Sequence, residues 1–177
     1  LVTLNDPGTL NSMDTTMADA VRELVVRAGG EARCVVLTGE GRAFCSGANL
    51  SPPSERATGA DGQIDAGDRL EKHFNPLARA LRELPVPFVT AVNGLAAGVG
   101  ASFALMGDLI VAGESAYFLQ AFRRIGLVPD GGATYMLPRL VGRARAMEMM
   151  LLGEKLPAPK ALEWGLINRC VPDAEVL

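Results

Sequence analysis

The chain has 177 residues, 49% of them hydrophobic and 5% aromatic, and its 17 basic and 20 acidic residues give a net charge of −3. This balance argues against a general nucleic-acid-binding protein, which usually carries a surplus of basic residues, and the single histidine, His73, excludes every metal site that needs several histidines. Three cysteines without CxxC spacing do not favour a disulfide framework or a cysteine-based zinc site. No apolar run reaches the roughly 18 residues of a membrane helix, so we expect a cytoplasmic protein without a membrane span.

The first part of the chain predicts a strand, a helix and a second strand. Residues 1–4 alternate weakly and end at a turn cluster. A helix capped by Ser12 or Asp14 follows, and the glycine pair at 29–30 is expected to stop it. The short apolar run over residues 34–38 is suited to a buried strand.

The middle of the chain combines irregular segments with one helix and one strand. Residues 39–49 are glycine-rich and predicted to be irregular, and residues 51–66 are predicted to form a mobile surface loop. Apolar residues then recur on one face of a helix over residues 70–84, in which Pro76 is a candidate for a kink. Residues 88–92 are predicted to form a buried strand.

The remaining elements alternate between helices and strands. A small-residue helix over 98–106 precedes a strand over 108–112 and a short strand at 117–118. A turn over 129–132 introduces the last predicted elements, which are helices over 133–141, 143–152 and 158–164 and a strand over 167–171. Buried strands that alternate with helices indicate an α/β protein, and the length favours one domain over residues 1–177.

Two glycine-containing bends follow apolar strands and are the first candidates for chemistry. Around Gly98 the dinucleotide fingerprint fails because Phe103 stands where a third glycine is needed, and around Ser46 the nucleophile-elbow pattern lacks both flanking glycines. Backbone amides from two such bends can converge on one carbonyl oxygen and form an oxyanion hole. On the residues alone, these glycines could equally serve turns and close packing.

Two longer segments surround these bends, residues 41–50 with the sequence GRAFCSGANL and residues 91–100 with the sequence AVNGLAAGVG. They resemble the two oxyanion segments of the crotonase family, the enoyl-CoA hydratase/isomerase superfamily. Further matches follow in the family's order over residues 5–13, 126–132 and 142–153. The resemblance implies the ClpP/crotonase-like spiral of ββα units, and we expect the family's C-terminal helical region to be largely missing after residue 177.

The resemblance assigns the two bends to the binding of an acyl-CoA thioester. By position, the backbone amides of Ala48 and Val99 would hold the thioester oxygen as an oxyanion hole. The substrate- and CoA-binding residues that the resemblance implies are Ala43, Phe44, Ser46, Gly47, Ala48, Asn49, Leu50 and Gly98. It implies no metal, no cofactor beyond the CoA that is part of the substrate, and a homotrimer or hexamer as the assembly.

Two positions depart from the family's hydratases, and a third indicates an isomerase. The glutamates with which those hydratases handle water fall at Ser102 and Phe122 here, so both carboxylates are absent. Asp130 occupies a position at which some isomerases of the family place a single acid/base, and a lone carboxylate can move a proton between two carbons. Residues 121–130 are similar to the phenylacetate-degradation branch. We therefore predict an acyl-CoA isomerase that stabilises a thioester enolate and shifts a double bond through Asp130.

Several alternatives stay open on the sequence. The protein could be an enoyl-CoA hydratase of the fatty-acid β-oxidation type, or an acyl-CoA-binding protein without turnover. Asp130 could cap the helix that follows it, whereas Cys45 is expected to be a small packing residue and His73 to lie on a helix surface or in helix packing. Arg123 and Arg124 could contact CoA phosphates or a neighbouring subunit, although a solvated surface is the simpler interpretation.

Overall fold

The computed structural model describes residues 1–50, Thr58, Gly62 and 65–177. These residues form nine strands, which are β1 (Val2–Leu4), β2 (Val35–Gly39), β3 (Ala43–Cys45), β4 (Phe88–Val92), β5 (Leu95–Ala97), β6 (Leu109–Gly113), β7 (Tyr117–Leu119), β8 (Leu156–Pro157) and β9 (Arg169–Val171). Their α-helices are α1 (Thr15–Glu31), α2 (Ala66–Arg69), α3 (Asn75–Arg82), α4 (Val99–Ala104), α5 (Ala133–Leu152) and α6 (Ala158–Glu163). Most of the loop predicted over 51–66 lies outside the described residues.

The strands are arranged in two sheets. The larger sheet has the order β1-β2-β4-β6-β9 with parallel neighbours, and the smaller sheet has the order β3-β5-β7-β8, in which β8 is antiparallel to β7. Strands β2, β4 and β6 enter the larger sheet, and the strand that follows each of them enters the smaller one. This alternation, with helical segments between the repeats, is the expected spiral of ββα units.

The sequence pattern does not predict strands β3, β5 and β8. Each has only two or three residues, and β3 lies inside the segment over 39–49 that is expected to be irregular. Such short strands show too few alternations to be read from sequence, so tertiary pairing defines them. Ala43 of β3 pairs with Leu95 of β5 in a parallel register. The two glycine-containing bends therefore leave the smaller sheet at the same edge.

Helix α1 begins as predicted but ends later. The Asp14 carboxylate accepts a hydrogen bond from the Met17 amide at 2.7 Å and caps the first turn. The prediction that the glycine pair at 29–30 stops the helix is wrong, because α1 continues past both residues. Gly29 instead permits close packing, since a Cβ atom placed there would lie 2.9 Å from Cδ2 of Leu84.

A π-helical turn divides the helix that is predicted over residues 70–84. This turn spans Leu70–Phe74 and separates α2 from α3. Pro76 is in the first turn of α3, directly after the π turn. Leu84 lies beyond the end of α3.

Helix α5 joins the two helices that are predicted over 133–141 and 143–152. Gly142 between them has φ +78° and ψ 163°, so the helical course is broken there as the sequence pattern indicates. Helix α4 is buried along its whole length and contributes to one hydrophobic cluster that also includes residues of both sheets and of α1, α3 and α5. Among the described residues, no helix combines the length and the apolar character needed to cross a membrane.

Candidate active site

One cavity brings together the two bends and the predicted acid/base residue. Its volume is about 260 Å³. The predicted site residues that line it are Ser46, Gly47, Ala48, Leu50, Gly98, Val99 and Asp130. Ala48 follows β3, Val99 begins α4 and Asp130 precedes α5, so three distant parts of the sequence meet around one space.

The first bend is held against the segment that precedes α1. The Ser46 amide donates to the Leu10 carbonyl at 3.0 Å, and the Met13 amide donates to the Gly47 carbonyl at 2.8 Å. Within the described part of the chain, the amide of Ala48 makes no hydrogen bond and is available to a ligand. Because the neighbouring bonds fix the backbone, this amide is presented in one orientation, as an oxyanion donor must be.

The second bend turns sharply at Gly98 into helix α4. Gly98 has φ +52° and ψ −129°, a conformation that residues with a Cβ atom rarely adopt. Its amide donates to the Leu119 carbonyl at 2.8 Å, which anchors the bend to β7. Val99 is the first residue of α4, so its amide has no intrahelical partner and points out of the helix N-terminus.

Small residues let the two bends pack closely. A Cβ atom placed on Gly47 would lie 3.0 Å from the Ala97 carbonyl oxygen, and one placed on Gly100 would lie 2.7 Å from the sulfur of Cys45. Close packing, the simpler interpretation of these glycines, therefore applies to Gly47 and Gly100. The same packing also holds Ala48 and Val99 beside one cavity.

Asp130 lies half-buried in the turn before α5. Burial raises the pKa of its carboxyl group to about 6, because apolar surroundings disfavour the ionised form. Within the described residues, its Oδ1 atom is buried without a hydrogen-bond partner. The helix-cap alternative is wrong, since Gly132 is the N-cap of α5 and no side chain caps that helix. A carboxyl group that lines a cavity and has a pKa near neutrality can exchange protons with a ligand.

Of the two positions at which the family's hydratases have glutamates, one lines the cavity and the other does not. Ser102 is completely buried in α4 and donates from Oγ to the Asp130 carbonyl at 2.9 Å. Phe122 lines the cavity and is only 4% exposed. Among the described residues, Asp130 is the only carboxylate in the cavity wall. The cavity therefore offers one acid/base group beside an apolar surface.

A family model for enoyl-CoA hydratase/isomerase matches residues 1–177. The chain belongs to this family. It is 46% identical over 174 residues to the 1,2-epoxyphenylacetyl-CoA isomerase of Escherichia coli K12, a match that covers 97% of this chain and 66% of that relative. The chain thus spans just under two thirds of the length of this relative.

Solved structures of the family have the same fold. An enoyl-CoA hydratase from Mycobacterium avium subsp. paratuberculosis superposes with a TM-score of 0.86 at 41% identity, over 98% of this chain and 68% of that one. A monofunctional enoyl-CoA isomerase from Mycobacterium smegmatis superposes with a TM-score of 0.80 at 34% identity, over 98% of this chain and 72% of that one. Similarity to hydratases and to isomerases alike establishes the family and the fold.

The segment after β7 also lines the cavity, and of its residues the resemblance indicated only Phe122, the position of one absent glutamate. A 3-10 turn over Ala121–Ile125 follows that strand. Together with Leu127, four residues of this turn line the cavity, which are Ala121, Phe122, Arg124 and Ile125. The guanidinium of Arg124 donates to the Gly153 carbonyl at 2.8 Å. Arg124 is exposed, in line with the interpretation of a solvated surface, and this hydrogen bond ties its side chain to the C-terminal end of α5.

Three of the predicted CoA-binding residues of the family lie outside the cavity lining. Ala43 and Phe44 are buried in β3, so only their main-chain atoms could face a ligand. Asn49 is half-buried just after the first bend. Contact of these three residues with CoA stays a prediction.

Cys45 and His73 occupy the structural environments that the sequence favours for them. Burial raises the pKa of the Cys45 thiol to about 11, so the thiol stays protonated near neutral pH and is a poor nucleophile. His73 lies in the π turn, where its Nδ1 atom is 2.8 Å from Oδ2 of Asp19 on α1. In the part of the chain that the structure describes, no group of three or more His, Cys, Asp or Glu side chains is placed to hold a metal ion.

Proposed function

We propose that this family member is an acyl-CoA isomerase that uses Asp130 as its acid/base. One observation carries the proposal: in the described part of the chain, Asp130 is the one carboxylate in the cavity wall that also contains Ala48 and Val99. A thioester whose carbonyl oxygen accepts from those two amides has its α-carbon inside the same cavity as the carboxylate. This arrangement favours chemistry through a thioester enolate.

The proposed reaction moves a double bond by two proton transfers. In a 3-enoyl-CoA ester, the Asp130 carboxylate removes a proton from C2, and the electrons of the C–H bond delocalise onto the thioester oxygen. The amides of Ala48 and Val99 stabilise this oxyanion, and the loss of one such donor typically lowers the rate by about 10²–10³. The protonated Asp130 then returns the proton to C4, and the double bond lies between C2 and C3. Substrate and product contain the same atoms.

The surroundings of Asp130 support both transfers. A pKa of about 6 leaves the carboxyl group ionised at neutral pH, yet close enough to protonation to accept and return a proton. Phe122 and Leu127 present apolar side chains to the same cavity. They keep bulk water away from the enolate, whose protonation by water would compete with transfer to C4.

The substrate class in this proposal is an acyl-CoA thioester with an unsaturated or related acyl group. The E. coli relative is named a 1,2-epoxyphenylacetyl-CoA isomerase, which supports isomerisation and extends the candidates to ring epoxides of phenylacetate degradation. A homotrimeric or hexameric assembly and a cytoplasmic location belong to the same proposal.

An enoyl-CoA hydratase is the second candidate function. It is supported by the M. avium structure, which is named an enoyl-CoA hydratase and is 41% identical. Addition of water needs one group to activate the water and one to protonate C2, and a pair of carboxylates serves this purpose well. The described cavity wall contains Asp130 alone, so we rank isomerisation first.

The deciding experiment compares isomerisation with hydration on the same protein. Incubation with a 3-enoyl-CoA ester should produce the conjugated 2-enoyl-CoA, detected by its absorbance, and Asp130→Asn should abolish this. Asp68→Asn is the control, because Asp68 is a helix-surface carboxylate that pairs with Lys72. Faster hydration of crotonyl-CoA than isomerisation would favour the hydratase. Binding of CoA esters without turnover or α-proton exchange in heavy water would indicate a non-catalytic acyl-CoA-binding protein.

A further inference from the structure

Ser102 links the helix that begins with Val99 to the turn that carries Asp130. It is completely buried in α4. Its Oγ atom lies 2.9 Å from the main-chain oxygen of Asp130 and 3.3 Å from that of Gly98. A serine hydroxyl has one hydrogen to donate, and the shorter distance assigns that hydrogen to Asp130.

A second donor holds the same carbonyl group. The Ala133 amide donates to the Asp130 oxygen at 3.1 Å, so a side chain of α4 and the first residue of α5 both bind one carbonyl. Two hydrogen bonds fix the plane of the peptide that follows Asp130, and this plane restricts the direction in which its side chain leaves the backbone. The carboxylate has less support of its own, because Oδ1 has no partner among the described residues.

Close packing strengthens the link between the turn and the helix. Gly131 has φ +56°, and a Cβ atom placed there would lie 2.9 Å from Cγ2 of Val99 and 3.0 Å from Cβ of Ser102. The turn therefore rests directly on the first turn of α4. The spacing between the Val99 amide and the Asp130 backbone is set within a small unit made of residues 98–102 and 130–133.

We infer that Ser102 is a positioning residue for proton transfer, whose hydroxyl holds the Asp130 turn at a fixed distance from the Val99 amide. This inference rests on the proposed function, because it assigns Ser102 a role only in the steps that Asp130 performs. Ser102 is absent from the described cavity lining. It therefore acts through Asp130 and does not contact the substrate itself.

The geometry predicts an effect on kcat and little effect on KM. The bends that carry the Ala48 and Val99 amides are anchored by their own hydrogen bonds to Leu10 and Leu119, which do not involve Ser102. Substrate binding at these amides therefore persists without the hydroxyl. Since a displacement of about 1 Å can lower a rate by about a hundredfold, we expect removal of one of two bonds to the Asp130 carbonyl to lower kcat about tenfold. KM should change by less than about twofold, as it does when only a transition-state interaction is lost.

The experiment compares Ser102→Ala with a matched loss of a buried hydroxyl that binds the same helix. Thr90→Val provides the control, because Thr90 is completely buried and its Oγ1 donates to the Ala104 carbonyl of α4 at 2.7 Å. Each variant removes one buried hydrogen bond to a main-chain oxygen, so both should lower the temperature of unfolding. Only Ser102→Ala is expected to lower the turnover rate when a 3-enoyl-CoA ester is isomerised.

Ser102→Cys adds a graded measurement. A thiol is a weaker donor than a hydroxyl, so this variant is expected to recover part of the kcat that Ser102→Ala loses. Equal losses of kcat in Ser102→Ala and Thr90→Val would reduce Ser102 to a structural residue and overturn the inference. Unchanged kcat in Ser102→Ala beside an inactive Asp130→Asn would overturn it too, while the proposed function would stand. Full turnover by Asp130→Asn would instead overturn the proposed function, and the role of Ser102 with it.

Discussion

Gly47 and Gly98 lie side by side beside the cavity, since a Cβ atom placed on Gly98 would lie 3.8 Å from the Cα atom of Gly47. Each glycine directly precedes a residue with an amide proposed to bind the thioester oxygen, Ala48 or Val99. The φ angles of +107° at Gly47 and +52° at Gly98 both lie in the region that favours glycine. The close approach of the two glycines therefore helps to set the spacing of the two proposed donors.

Gly98→Ala is expected to lower activity strongly and stability moderately. A side chain at φ +52° and ψ −129° costs about 1–3 kcal/mol, and backbone relaxation that relieves this strain rotates the Val99 amide. Because the loss of one oxyanion donor lowers kcat by about 10²–10³, we expect a decrease of that order in the initial rate of isomerisation. Urea unfolding measures the accompanying loss of stability.

Gly165→Ala is the matched control for backbone strain. Gly165 has φ +76°, and the structure places nothing within 4 Å of its Cβ position. It follows α6 and is not part of the described cavity wall. We expect a loss of about 1 kcal/mol with unchanged turnover. Comparable losses of turnover in the two variants would contradict a specific role for the second bend.

Local sequence patterns predict those helices and strands in which several buried apolar residues recur at regular spacing. Strand β4 coincides with a run in which four of five residues are apolar, and α1 has apolar residues at helical spacing behind the Asp14 cap. The three-residue strands β3 and β5 are too short to show a period, and the π turn over Leu70–Phe74 has no distinctive spacing. Pairing and packing with distant segments define these elements.

The sequence predicts those parts of the candidate site that depend on residue identity. It does not predict contacts between residues that are far apart along the chain. The two bends and Asp130 could be assigned from the resemblance because glycine spacing and a single acid are visible in sequence. The hydrogen bond from Ser102 to Asp130 joins residues 28 positions apart, and the anchoring of Arg124 on Gly153 spans 29 positions. Only the fold brings these partners together.

Asp130→Asn is expected to stabilise the protein at neutral pH while it abolishes turnover. The native pKa of Asp130 is raised to about 6, whereas an aspartate in an unfolded chain titrates near about 4. As the pH rises from about 4 to about 6, the unfolded chain ionises first, so the free energy of unfolding of the wild-type protein falls in this window and stays lower above it. Asp130→Asn has no carboxyl group to ionise at this position, so its free energy of unfolding does not fall in this window.

The size of the effect follows from the pKa shift. One pKa unit corresponds to about 1.4 kcal/mol. Because Asp130 is partly exposed, we expect Asp130→Asn to raise the free energy of unfolding by only about 1–2 kcal/mol at pH 7.5. Urea unfolding at pH 7.5 and at about pH 4 should show a difference between variant and wild type that is mostly lost in acid. A difference of the same size at both pH values would show that ionisation of Asp130 is not its cause.

Phe122→Ala is expected to lower the pKa of Asp130. Phe122 is 4% exposed and lines the same cavity, so its removal admits water and relieves the desolvation that raises this pKa. Because the base must be ionised, isomerisation falls as the pH drops through the pKa, and the midpoint of the kcat profile should move below about 6. Phe122→Leu keeps an apolar side chain there and should move the midpoint less. An unchanged midpoint in both variants would mean that Phe122 does not exclude water from Asp130.

Asn11→Ala is expected to loosen the first bend and to destabilise the protein by about 3 kcal/mol, since buried polar groups left without partners cost about 1–3 kcal/mol each. Asn11 is completely buried, and its Nδ2 group donates to the carbonyls of Glu40 at 3.0 Å and Ala43 at 2.7 Å, while its Oδ1 accepts from the Asp6 amide at 2.9 Å. Its φ of +56° adds backbone strain for alanine.

Asn11→Gly separates these two causes, because glycine accepts the positive φ at no steric cost but cannot form the three hydrogen bonds. If the hydrogen bonds dominate, urea unfolding will show nearly equal losses of stability in Asn11→Ala and Asn11→Gly. If backbone strain dominates, the glycine variant will unfold close to the wild type. We expect the first result, because three hydrogen bonds are lost in both variants while strain accounts for about 1–2 kcal/mol.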